Sequence, residues 1–365
     1  MIAVSCLAAL MLTTTTGPTD PGSVPAPALT AYVEAKPAGG RPAWDIPIEF
    51  NKAVDRWLVY YQTRGRRSFQ IHLRRAGRYE PTLRAIMREY GLPQDLVYLS
   101  MIESGYDPNA YSRAHAVGLW QFLSSTGRRY GLRIDEWVDE RRDPILATRA
   151  AAAYLKDLYE EFGSWYLAAA AYNGGSGRVW RAVRRTGSRD FWTLTRRGYL
   201  AQETRDYVPK FIAAALIAKQ PEKYGFNLRT APLLGYDLGR VPDATSLDVI
   251  AEAAGVDVAE IIALNPQLIR RITPPGESYH VRLPHRTGTT FATNYARIPS
   301  EARLRAVQHT VKPGDTLGRL AKTYGSDLSA IRSANPSVHP RRLEVGQRLF
   351  IPVSTKSTRL TSSSP

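Results

Sequence analysis

The chain runs to 365 residues, 44% of them hydrophobic, which excludes wholesale disorder and implies two or three domains. Its formal net charge of +16, from 40 arginines and 9 lysines against 33 acids, calls for an acidic partner; nucleic acid is one candidate and any acidic polymer another. The single cysteine, Cys6, excludes an intramolecular disulfide and a thiolate-rich metal site.

Residues 2–12 form an apolar run too short to span a membrane as a helix. With the threonines and prolines behind it, the segment 1–16 resembles a signal-peptide core that lacks its basic flank, so export is expected. Ala3-Val4-Ser5-Cys6 resembles a lipoprotein processing site set unusually near Met1, with no second anchoring signal beside it. Residues 17–43, rich in Pro, Gly and Ala, read as a flexible spacer.

From 44 to 228 the pattern is that of one α-helical domain. Pro93 suits a first helical turn and Gly105 a stop, which predicts a helix ending near Glu103. At 3.6 residues per turn Leu92, Leu96, Leu99 and Glu103 share a face, so the acid continues the apolar stripe. A carboxylate so placed is poorly solvated and holds its proton to higher pH, as a general acid requires. From this stretch alone, a helix-terminal Glu pointing at solvent is an equal reading. Asp143-Pro144 starts a further helix over 147–162 that Gly163 stops. Ser164 caps the next, over 165–172, which breaks at Asn173-Gly174-Gly175.

The C-terminal third repeats. An offset of 70 sets Leu317 over Leu247, Ala321 over Ala251, Gly325 over Gly255, Asp327 over Asp257, Ile331 over Ile261 and Asn335-Pro336 over Asn265-Pro266. Each copy predicts strand, helix, helix, strand, a small α/β unit of βααβ order, at 241–285 and 307–353. Residues 286–306 read as a linker and 354–365 as a Ser/Thr-rich tail.

Four short motifs follow one another in the helical region: Glu103-Ser104-Gly105-Tyr106 with Ser112 behind it; Gly118-Leu119-Trp120-Gln121-Phe122; Ala170-Ala171-Tyr172-Asn173-Gly174; and Gln202-Glu203-Thr204-Arg205-Asp206-Tyr207-Val208-Pro209-Lys210. In this order they resemble the soluble lytic transglycosylase (SLT) family, and the repeats resemble LysM modules; together the resemblance covers roughly 45–352. It implies a mainly α, lysozyme-like catalytic domain that cleaves the MurNAc-GlcNAc β-1,4 bond of peptidoglycan, leaves a 1,6-anhydroMurNAc end, and works in the periplasm or cell envelope. It assigns Glu103 as the single acid/base residue. Ser112, Gln121, Tyr172, Asn173 and Tyr207 are implied substrate-binding partners. Trp120 stands where methionine is usual; it either stacks on a sugar or fills the core. In the second repeat Gly314, Asp315, Thr316, Asn335 and Pro336 correspond to the two glycan-binding loops. The first repeat has Pro242-Asp243-Ala244-Thr245 instead and reads as degenerate.

Asp95 and Asp107, the acids nearest Glu103 in sequence, read as structural: one in a first helical turn, the other in a turn before Pro108. His115 reads as a surface turn. The six histidines show no metal spacing, so no metal and no cofactor are expected. The expected partner is peptidoglycan glycan rather than nucleic acid, with a peripheral membrane association compatible with the chain. Two rival readings are a lysozyme-like hydrolase and a wall-binding protein without catalysis.

Overall fold

The computed structural model describes residues 44–227, 231–335 and 338–353. The expected signal segment, spacer and tail, and Pro336, lie outside the described residues.

The N-terminal part is helical, as expected. Helix α1 (Lys52–Gln62) is capped by Asn51, whose side chain accepts from the amides of Ala53 and Val54. The long α2 (Arg66–Glu89) turns Phe69, Leu73, Ala76, Leu83 and Met87 inward. A 3-10 turn at Gln94–Leu96 leads into α3 (Val97–Ser104), the helix that carries Glu103. Leu92, Leu96 and Leu99 are buried as expected, but Leu92 precedes the 3-10 turn and residues 97–102 are all buried, so α3 is enclosed on every side rather than along one stripe. Gly105 ends α3 with φ +63, and a Cβ there would fall 2.1 Å from the His72 ring, so both the conformation and the space require glycine.

After the short α4 (Ser124–Arg129) comes α5 (Pro144–Phe162), capped by Asp143 with Pro144 at its first position and stopped at Gly163, as predicted. Ser164 caps α6 (Trp165–Gly174), which continues two residues past its expected break, so Asn173 is helical. Then follow α7 (Ser176–Thr186), α8 (Phe191–Arg196) and α9 (Gln202–Lys219). Helix α9 is packed against α1, α3 and α6, with Val208, Phe211, Ile212 and Ile217 buried. It is the central element against which the Glu103 helix is seated.

The repeats have the predicted order. In the first, β1 (Tyr236–Val241) is followed by α10 (Leu247–Ala254), α11 (Val258–Leu264) and β2 (Tyr279–Pro284); the strands pair antiparallel with Leu238 opposite Arg282. The 286–306 segment, expected to be a linker, instead holds α12 (Gly288–Tyr295), whose Phe291 and Tyr295 are buried in the first repeat's core. Its apolar residues stand four apart, a helical spacing. In the second repeat β3 (Ala306–Thr310), α13 (Leu317–Thr323), α14 (Leu328–Ala334) and β4 (Arg348–Pro352) enclose a smaller core around Leu317, Leu320, Ile331 and Leu349.

The first repeat is fastened to the helical part. Val138, from the loop before α5, is fully buried in the repeat's own core, and its backbone bridges to Leu268. Arg282 pairs at 2.7 Å with Asp143, both largely buried. Arg270 joins three parts: it donates to the Glu136 carbonyl at 2.5 Å and the Ala334 carbonyl at 2.9 Å, and it lies over the rings of Trp137 and Phe350.

Candidate active site and glycan-binding loops

Glu103 sits in the last turn of α3, largely enclosed but with part of its surface open. The Tyr207 hydroxyl donates to its Oε1 at 2.6 Å. Burial is the main influence on the acid and raises its pKa from an ordinary 4.5 to about 7; the Tyr207 hydrogen bond and Lys210 pull the other way, and Glu203 adds to the rise. A carboxyl in this state is divided between its two forms near neutrality, so it can give a proton and take one back. The acid thus ends a short helix whose residues 97–102 are all buried, and that enclosure, wider than the single stripe read from sequence, is the cause of its setting.

Tyr207 is itself pushed up by burial and by Glu103, so its phenol keeps the proton it donates. Lys210, one turn further along α9, donates to the Ile102 carbonyl at 3.2 Å and lies over the Trp57 ring at 5.7 Å. Burial lowers its pKa, while Glu103 and Glu203 raise it. Lys210 therefore holds the carbonyl beside the acid and supplies positive charge to it. Sequence reading gave it no role, although Glu203, Tyr207 and Lys210 follow at i, i+4 and i+7, one helical face. His72, against Gly105, is held neutral by burial and by Arg75, its pKa lowered to about 4.

The other expected residues form two groups. Tyr172 is near enough to Glu103 for the acid to raise its pKa, after burial, and its hydroxyl donates to the Trp120 carbonyl at 2.7 Å. Asn173 is fixed by α9: its Oδ1 accepts from Thr204 at 3.0 Å and its Nδ2 donates to Glu203 at 3.4 Å. Gln121 adopts φ +50, uncommon for a side-chain-bearing residue, and donates to the Gly118 carbonyl at 2.9 Å. The Gly-Leu-Trp-Gln turn is pinned from both sides. Ser100 and Ser104 of α3 donate to the Leu119 carbonyl at 3.1 and 2.9 Å. A Cβ on Gly118, which has φ +80, would fall 1.8 Å from the Arg141 carbonyl oxygen. Trp120 is fully buried and donates to Thr148 at 2.8 Å, so of its two readings the core one holds.

Ser112 bonds within its own turn, accepting from the Ala116 amide at 3.0 Å; no hydrogen bond joins it to Glu103 among the described residues. His115 is an exposed turn residue bonded to Tyr111. Asp95 is buried between Lys219 at 2.6 Å and Arg84 at 3.4 Å, and Asp107 pairs with Arg75 at 2.9 Å. Both acids are engaged away from Glu103.

The two repeats differ where their loops face each other. In the first, the Leu247 amide donates to the Arg271 carbonyl at 2.9 Å and the Thr273 amide to the Thr245 carbonyl at 3.0 Å. The Thr245 amide also donates to the Thr273 hydroxyl at 2.8 Å, and Thr245, Ser246 and Thr273 are buried. These loops are closed on each other. In the second repeat Gly314 and Thr316 are exposed and Asp315 partly so. Asp315 is held by the Lys312 amide and by His309, each at 2.8 Å, and Thr316 caps α13. No hydrogen bond joins 312–317 to 338–344 among the described residues. Asn335 is buried and bonds the backbone of Phe350 through both ends of its amide, at 2.6 and 2.9 Å. Its side chain thereby fastens the loop to β4.

Three family patterns match the chain: the transglycosylase SLT domain over residues 81–195, the lytic transglycosylase MltD LysM-like domain over 239–300, and the LysM domain over 309–352. The chain is 32% identical over 297 residues to membrane-bound lytic murein transglycosylase D of Escherichia coli, a match covering 76% of this chain and 64% of that relative, less than two thirds of its length. It is 33% identical over 122 residues to membrane-bound lytic murein transglycosylase C of Pectobacterium atrosepticum, covering 30% and 34% of the two chains. Among solved structures, an inactive mutant of the lytic transglycosylase Slt from Pseudomonas aeruginosa matches with TM-score 0.34 and 27% identity, over 40% of this chain and 24% of that one.

Proposed function

We propose that this chain, which carries a transglycosylase SLT domain followed by LysM-like and LysM modules, is a peptidoglycan lytic transglycosylase of the cell envelope. Glu103 gives its proton to the glycosidic oxygen as the bond to C1 of MurNAc breaks. The resulting carboxylate takes the proton of the muramoyl 6-hydroxyl, whose oxygen closes on C1 to form the 1,6-anhydro ring. The proton is thereby returned to Glu103, and no water is consumed. Because the attacking hydroxyl belongs to the substrate, one acid/base group suffices. The observation that carries this reading is the setting of Glu103: enclosed, bonded to Tyr207, with its pKa near 7. In this reading Tyr172, Asn173, Gln121, Tyr207 and Ser112 position the sugars, Ser112 by resemblance alone.

Glutamine at position 103 keeps the shape and loses the proton. Glu103→Gln is expected to abolish release of anhydro-muropeptides from purified sacculi, read by mass spectrometry, while sacculus binding persists; retained cleavage would end the assignment.

A lysozyme-like hydrolase is the second reading, favoured by one feature, the exposed carboxylate of Glu203 near enough to affect Glu103. An inverting hydrolase holds its attacking water with a second acid roughly 6.5–9.5 Å from the first. Glu203, however, is engaged by Asn173. Products heavier by one water would decide for the hydrolase.

Glycan binding outside the catalytic domain belongs in this reading to the second LysM module, where Gly314, Asp315 and Thr316 lie on an open loop. Pro336 belongs to the expected pair of loops by resemblance alone. No helix among the described residues is long and apolar enough to cross a membrane. Residence in the envelope is supported by the similarity to a membrane-bound lytic murein transglycosylase and by the expected export signal.

A further inference from the structure

One charged feature has no part in the chemistry above. Helix α7 presents Arg178, Arg181 and Arg185 at i, i+3 and i+7, a spacing that gathers three guanidinium groups on one face. They line a cavity of about 190 Å³ whose wall also includes Gly174, Leu200 and Thr204. No carboxylate is among the lining residues. Arg178 donates to the Gly174 carbonyl at 3.3 Å, but no hydrogen bond or ion pair engages Arg181 or Arg185 among the described residues. Like charges held this close repel, and an anion between them would relieve the repulsion.

The cavity's position narrows the choice of anion. Gly174 follows Asn173, and Thr204, on the cavity wall, is the residue whose hydroxyl holds the Asn173 amide. The cavity and the proposed sugar site therefore share a partition one side chain thick. The glycan strand is uncharged in its sugar rings, but each muramoyl residue bears a peptide with free carboxyl groups. Arginine matches a carboxylate through paired N–H donors, which lysine cannot reproduce. Leu200, Val179 and Ala182 add an apolar floor for aliphatic side chains.

We propose that this cavity is a subsite for a carboxylate of the stem peptide on the glycan being cleaved, making the three arginines specificity determinants for peptide-bearing strands. This rests on the lytic reading only for the source of the peptide.

The test uses the full chain carrying Glu103→Gln, so that substrate is bound and not consumed. Its affinity is measured by calorimetry for soluble glycan chains with their stem peptides, for the same chains stripped of peptide by an amidase, and for the free stem peptide. The peptide-bearing chains are expected to bind about 5- to 10-fold tighter than the stripped ones, with the difference shrinking as salt rises from roughly 50 to 300 mM. Adding Arg181→Ala and Arg185→Ala should erase the difference and leave stripped chains bound as before. Arg184→Ala, an exposed neighbour outside the cavity, should change nothing. Equal affinity for both kinds of chain overturns the proposal, as does an equal loss on stripped chains or an equal effect of Arg184→Ala. So does binding to anionic lipid vesicles that depends on these arginines while the peptide does not bind. Product analysis with the unmodified acid reports separately on the lytic reading: bound peptide without anhydro ends keeps the subsite and removes the mechanism.

Discussion

Glu103 shows how a single side chain is tuned by opposing neighbours. Enclosure raises its pKa to about 7, while Tyr207 and Lys210 restrain the rise. Activity that needs the protonated acid should therefore fall as pH climbs through about 7, measured as kcat/KM on soluble glycan chains. The charged and titratable groups around the acid are Tyr207, Lys210 and Glu203 on α9 and Tyr172 on α6, with neutral His72 on α2 behind Lys210. Of these the lysine ammonium favours the ionised acid. Lys210→Met should consequently move the alkaline limb to higher pH, and a limb moving down or staying put would refute that role. The same setting has a stability consequence of definite sign. Glu103 binds its proton more tightly in the folded chain, so it favours folding fully below about 4.5 and that contribution is lost as pH rises through about 7. Glu103→Gln should raise unfolding stability by up to about 3 kcal/mol above pH 7, and by little at pH 4, in paired denaturant titrations.

Among elements, α9 organises the site around Glu103. One face of α9 supplies Tyr207 and Lys210 to the acid and Glu203 and Thr204 to Asn173, so a single helix sets both halves of the site. The modules share an order of elements yet differ in a few hydrogen bonds between their loops. Leu247 and Thr273 amides are bonded across the first module, whereas no hydrogen bond joins 312–317 to 338–344 of the second among the described residues. Hydrogen exchange on the full chain tests the difference. Amides of 245–247 and 271–273 should exchange slowly without ligand and be unchanged by a GlcNAc oligomer, while 314–319 and 339–344 should become protected when it is added. Ligand protection in the first module would show its loops open in solution.

At the scale of the whole molecule, the first module stands in the chain between the helical part and the second module and contacts both. Val138 is embedded in its core and Arg270 ties Glu136 to Ala334. Buried hydrogen bonds to a charged group are worth about 1.5–3 kcal/mol each, and the carbonyls left behind lose their partner. Arg270→Ala should thus speed exchange in 338–353 several-fold, with any change in the helical part confined to the 136–138 segment that Arg270 also holds; protection in 338–353 equal to that of the unmodified chain would show that the second module is held by other contacts.

Much of this was legible along the chain. The stripe ending at Glu103, the caps at Asp143 and Ser164 and the 70-residue repeat are local patterns, set by helical period and by backbone groups that need partners. Motif order pointed to Tyr207 beside the acid and to Tyr172 as a substrate-positioning residue, though only by resemblance. What the sequence left open depended on contacts between distant segments: Trp120 in the core, Lys210 beside the acid, α12 inside a module rather than between two, and the closing of the first module's loops. Composition and spacing determine which elements form and which residues can be buried. Where two loops meet, and whether they bond each other or leave an edge for a sugar, is decided by tertiary packing, because those hydrogen bonds join residues 24 to 28 positions apart.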